Sequence, residues 1–198
     1  SRALPVMRKR ALILLVCLLT HDYALGDSAT LTTEPDGETY NFTTHYRVQI
    51  NASREAVWPV LLDLKSWMYE FELTPVTPDI EGEGRVLRLY SGQAFEIQIS
   101  KVVPLKLLSI VNLPLNFEGE FTTGVGIITL HENASGCEVS VTMSRRYSWT
   151  GQGENPVRAV RETAAFQEQT RAMWQDRFLR RLKQRVEAND NGKHPENL

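Results

Sequence analysis

Between Gly84 and Trp149 the sequence alternates apolar and polar residues almost without pause, and one long helical stretch follows. No other feature limits the fold as strongly. Successive side chains on a strand point to opposite faces, so this alternation marks strands with one buried face. It predicts strands over Arg85–Tyr90, Gln93–Val103, Lys106–Leu113, Gly119–His131 and Cys137–Trp149. Turn-forming residues separate them at Ser91-Gly92, at Pro104, around Pro114 and from Asn133 to Gly136. Strands joined this closely form an antiparallel meander. Upstream, Tyr40 to Asn51 adds another strand, with Tyr46, Val48 and Ile50 on one face and His45, Arg47 and Gln49 on the other.

Two helical regions complete the pattern. Ser53 stands as an N-cap before Ala56, Val57, Val60 and Leu61, which recur at helical spacing. Pro59 breaks this stretch, so one or two short helices are expected to end near Asp63, with another turn over Lys65 to Phe71. After Asn155-Pro156, an N-cap followed by a proline at the first helical position, one long helix is expected to run to about Ala188. Its apolar stripe is Val160, Ala164, Trp174, Phe178, Leu182 and Val186. A sheet with one apolar face must be covered, and only this helix is long enough to cover it. The expected class is α+β, with an antiparallel sheet and a long C-terminal helix.

The first residues read as a targeting segment. Met7 precedes Arg8-Lys9-Arg10 and the apolar run Ala11 to Leu19. As a helix that run spans about 14 Å, against a hydrocarbon core of about 30 Å. It suits a signal peptide, with cleavage expected after Ala24-Leu25-Gly26. The expected organisation is a signal peptide over residues 1–26 (residues 1–6 being extra), a lead-in over 27–39, the domain over 40–188 and a polar tail over 189–198. Cleavage takes the net charge from −2 to −5. In an oxidising compartment Cys137 stands alone, and its place among Val139, Val141 and Met143 puts it in the core.

The segment Tyr46 to Asp63, with Val57-Trp58 on its helix and Leu61, Leu62 and Asp63 a turn later, resembles the opening of the START/pollen-allergen/polyketide-cyclase superfamily (SRPBCC). The close is similar too, in Ile127 to Glu132, the turn at Gly136, Cys137 to Trp149 and a helix bearing Phe178 to Lys183. The resemblance covers roughly Tyr40 to Ala188. It implies the helix-grip fold, in which a curved antiparallel sheet wraps the C-terminal helix and leaves a pocket between them. It also implies an apolar ligand, since members bind lipids, sterols and polyketides and some are cyclases or hydrolases. The superfamily carries no fixed catalytic residues, so none transfer. Many members lack an export signal, and in that respect this chain departs from them.

Trp67, Tyr69, Tyr90, Phe95, Tyr147 and Trp149 fall on the elements that the superfamily uses around its pocket, as do Phe71 and Phe166. Such rings suit an amphipathic ligand, and each is equally readable as core packing. Along the helix stripe, Ala164, Gln167 and Arg171 replace large apolar residues. They leave room for a cavity in which Gln167 and Arg171 orient a polar head group; a solvent-facing Arg171 is the equal alternative. Glu118 and Glu120 share a strand face, and solvent exposure at a sheet edge is the favoured reading. Gly82/Gly84, Gly124/Gly126 and Gly151/Gly153 read as turns or strand kinks.

Among His45, His131 and His194 there is no metal-ligand spacing, and no nucleophile elbow or dinucleotide-binding motif occurs, so neither metal nor cofactor is expected. The helix carries eight Lys/Arg against four Asp/Glu. Such a stripe is usually a solvated face; it could also meet anionic lipid head groups peripherally, and nucleic acid is not expected. The first functional reading is a periplasmic or secreted monomer that holds an apolar or amphipathic small molecule, lipid-like or polyketide-like. A cyclase or dehydratase of the same fold is the second. An envelope interaction module without a ligand is the third.

Overall fold

A computed structural model describes residues 39–90, 94–117, 120–149 and 164–191. The expected signal peptide and most of the lead-in and polar tail lie outside the described residues. Seven strands form one curved, open antiparallel sheet: β1 (Thr39–Ile50), β2 (Glu72–Pro75), β3 (Val86–Tyr90), β4 (Ala94–Val103), β5 (Leu107–Phe117), β6 (Glu120–Asn133) and β7 (Gly136–Trp149). Their order across the sheet is β1-β7-β6-β5-β4-β3-β2, so the first strand closes one edge beside the last.

Alternation decides which face is buried. Cys137, Val139 and Val141 of β7 face inward, in register with Ile50, Val48 and Tyr46 of β1. Cys137 is fully buried, and burial pushes its thiol above the usual thiol range. On the outer face Arg88 and Glu96 pair at 2.6 Å, which is the side of β4 where alternation puts Glu96. Strand β5 runs on through Pro114 rather than ending before it. The register shifts between Asn112 and Leu115, and a proline needs no ladder hydrogen bond at such an irregularity. Strand β2 was not legible in the sequence, because Leu73 is its one inward apolar residue, opposite Leu89.

Two short helices precede β2: α1 (Arg54–Leu62) and α2 (Leu64–Trp67). The Ser53 side chain accepts from the Ala56 N–H at 3.3 Å, and Asp63 ends α1 four residues after Pro59. The C-terminal helix runs on through three segments: α3 (Ala164–Arg171), a π-helical stretch (Ala172–Leu179) and α4 (Arg180–Asn191). The expected start at Pro156 lies outside the described residues.

The helix grips the sheet at the β1 edge. Gln175 donates to the Arg47 carbonyl at 2.7 Å and Lys183 to the Gln49 carbonyl at 2.9 Å. The Asn51 N–H donates to Glu187 at 3.1 Å. These contacts occupy edge-strand groups that would otherwise offer a template for another chain. Inward, Trp174 stacks on Tyr46, and Phe178 meets Trp67, Phe71 and Trp174.

Candidate functional site

A cavity of about 60 Å³ lies between the concave face of the sheet and the π-helical stretch. Sheet residues make most of its wall. Leu89, Phe95, Ile97, Ile110 and Ile128 supply apolar surface, and Asn112 and Arg145 supply the polar side chains. Met68 and Phe71 close it from the turn after α2, and Met173, Trp174 and Phe178 close it from the helix. Met143 of β7 completes a set of three methionines, the residue type best able to repack around guests of different shape.

Two glycines make room for side chains of the wall. Gly124 and Gly126 are not turns but interior positions of β6, opposite Arg145 and Met143, with the β5–β6 register shift beside Gly124. A Cβ on Gly126 would stand 2.7 Å from the Met143 sulfur. One on Gly124 would stand 3.1 Å from Arg145 Cγ and 3.5 Å from Asn112 Nδ2. The stem of Arg145 and the amide of Asn112 therefore lie side by side over a strand that offers no side chain of its own. By contrast, Gly82 and Gly84 do sit in a turn, at φ +75° and +91°.

Two polar atoms of wall residues lack a partner among the described residues. Arg145 Nε and Trp174 Nε1 are both buried without a hydrogen-bond partner among the described residues. An unsatisfied buried donor costs about 1–3 kcal/mol.

Of the aromatic residues singled out by sequence, Phe71 and Phe95 line the cavity, and the others that the structure describes stand elsewhere. Trp67 is buried in the core, its indole donating to the Leu61 carbonyl at 3.2 Å. Tyr69 is exposed beneath the Arg181 guanidinium, 3.8 Å from its ring centre. Tyr90 is exposed, one position past inward-facing Leu89. Tyr147 is buried and Trp149 half-buried, two and four residues beyond Arg145 on the same face of β7. Among these residues, neither belongs to the cavity wall. The side chains of Phe166, Glu118 and Glu120 lie outside the described residues.

The head-group role expected for Gln167 and Arg171 is corrected by the helix geometry. Gln167 is exposed. Arg171 pairs with Glu168 at 2.6 Å and with Asp176 at 3.2 Å, and its hydrogen bond pulls the Glu168 carboxyl below its usual range. The reason is the π-helical stretch. Its wider i→i+5 turn rotates the preceding residues, so Thr170 is buried where an unbroken α-helix would bury Arg171. The helix cations are also partly met within the fold, since Arg177 and Arg181 reach Glu70 at 3.6 and 2.8 Å.

Arg145, Asn112, Met143 and Met173 escaped the sequence reading. For Arg145 a signal was present: the inward positions Cys137, Val139, Val141 and Met143 continue to 145. Among the described residues, no group of three His, Cys, Asp or Glu side chains comes together to hold a metal.

No protein-family model and no curated protein matches the chain. Solved structures do. A protein of unknown function, SA2116 from Staphylococcus aureus, aligns over 78% of this chain and 98% of its own, at 12% identity and a TM-score of 0.58. Protein MLL2253 from Mesorhizobium loti aligns over 74% and 97%, at 16% identity and 0.52. Ara h 8.0201, a Bet v 1-like protein, aligns over 75% and 99%, at 10% identity and 0.51. At these identities the likeness is one of fold. The chain has the helix-grip fold.

Proposed function

We propose that the chain is an exported binding protein that holds a small apolar or amphipathic molecule between the sheet and the π-helical stretch. The observation that carries this reading is the cavity itself, an apolar chamber with two polar side chains, bounded by adaptable methionines. Its 60 Å³ lies well below the roughly 300–1,000 Å³ of drug-sized sites. The ligand is therefore small, or it enters as Met68, Met143 and Met173 change rotamer. The described wall offers no carboxylate, imidazole or thiol to move a proton, which favours binding over a cyclase-type reaction. Export rests on the basic and apolar run from Met7 to Leu19.

Titration with straight-chain alcohols from butanol to octanol, followed by tryptophan fluorescence, tests the cavity. The expected result is saturable binding that strengthens with chain length, then levels off where the chamber is full. Ile110→Phe fills the chamber and is expected to weaken binding by about ten-fold or more while the protein stays folded. No saturable response in the wild type, or an unaffected Ile110→Phe, contradicts the reading. The intact mass of protein made in an exporting host tests the other half: a chain beginning at Asp27 supports export, and an uncleaved one opposes it.

A further inference from the structure

We infer that the cavity takes an amphipathic carboxylic acid, with the carboxylate seated at Arg145 and the apolar tail turned toward Ile97, Ile128 and Phe178. This rests on the cavity being a ligand site, and it names the ligand's chemistry.

The two buried side-chain atoms of the wall residues that lack a partner among the described residues are both donors. Arg145 Nε and Trp174 Nε1 each carry a hydrogen with no acceptor among the described residues, and both residues line this cavity. A guest that satisfies them must bring acceptor oxygens. Charge narrows the choice, because Arg145 is the single cation of the described wall and no carboxylate there opposes it. One guanidinium matches one negative charge. Its planar fork fits the two oxygens of a carboxylate, as the point charge of a lysine ammonium does not.

Position fixes the orientation. Arg145 and Asn112 are half-buried, as are Phe71, Phe95, Ile110, Met143 and Met173, whereas Ile128 and Phe178 are each 1% exposed, so the polar pair belongs to the more open side of the chamber and these two to its closed side. Gly124 keeps the Arg145 stem and the Asn112 amide together, both within 3.5 Å of one point above the strand. An acid can then enter tail first and leave its head group between them, with the Asn112 amide as a further donor.

The test is a matched pair of probes, hexanoate and hexanol, titrated at neutral pH into wild type, Arg145→Met and Arg145→Lys. Wild type is expected to bind hexanoate about ten-fold or more tightly than hexanol, and to lose that preference below the acid's own pKa. In Arg145→Met the preference disappears while hexanol affinity stays within about three-fold. Arg145→Lys keeps a charge without the fork and falls between. Equal wild-type affinity for the two probes, or a preference that survives Arg145→Met, overturns the acid assignment and leaves the cavity as a ligand site. Wild type that binds neither probe overturns both. The wild-type comparison needs no variant to fold.

Discussion

Gly136→Ala is expected to cost on the order of 4 kcal/mol or more, which places it among the most damaging single changes. Gly136 opens β7 at φ +115°, a conformation that side-chain-bearing residues rarely adopt. A Cβ there would overlap the Ile50 carbonyl oxygen and stand 2.9 Å from Ala52 N and 3.1 Å from Ala52 O. All three are backbone atoms at the end of β1, so none can swing aside as a side chain can. The strand must move, and with it the β1–β7 pairing that seats the helix. Gly82→Ala is the control. Its φ is +75° but no atom stands within 4 Å of the added carbon, so only local backbone strain of about 1–2 kcal/mol is expected. Urea denaturation of both variants measures the difference. A Gly136→Ala midpoint close to that of Gly82→Ala would contradict the close approach of β7 to the end of β1.

Phe178→Ala is expected to cost about 3–5 kcal/mol, a large share of the roughly 5–15 kcal/mol that holds a domain together. The ring is 1% exposed and joins three separate parts of the chain. It meets Trp67 of α2 at 6.3 Å, Phe71 beyond α2 at 5.8 Å and Trp174 of the π-helical stretch at 5.3 Å between ring centres. Removing it loses buried apolar area and enlarges a chamber that already exists, so the neighbours have little chance to collapse inward. Phe178→Leu keeps most of the volume and is expected to cost less than half as much. Equal losses in the two variants would mean that the ring contacts matter little.

The strands were legible because their information is local. Alternation along Cys137 to Met143 states which residues are buried, and the sheet obeys it. Ser53 and Pro59 marked α1 through chemistry that needs no tertiary partner. The π-helical stretch is different. Nothing local in Ala172 to Leu179 announces it, and one wider turn exchanges Arg171 for Thr170 on the buried face. That is why Arg171 takes the surface position that was its equal alternative, paired with Glu168 and Asp176. The aromatic residues misled for another reason: Tyr69 and Tyr90 occupy the anticipated elements, but which side each ring takes depends on tertiary packing. Arg145 was legible in principle, since it continues the inward parity of β7. An inward charge conflicts with burial statistics, and such conflicts are where functional groups are to be sought.

The central claim is that the chamber beside the π-helical stretch receives the apolar ligand. Proton–nitrogen correlation spectra of the indole groups, recorded during a hexanoate titration, test it most directly. Of the four tryptophans, Trp174 lines the chamber with its N–H unpaired among the described residues, and Trp67 donates to the Leu61 carbonyl within the core. Binding at the proposed site predicts a saturable shift of the Trp174 indole signal while that of Trp67 stays in place. A Trp174 signal that does not move at saturating hexanoate, or that moves no more than Trp67, contradicts the account.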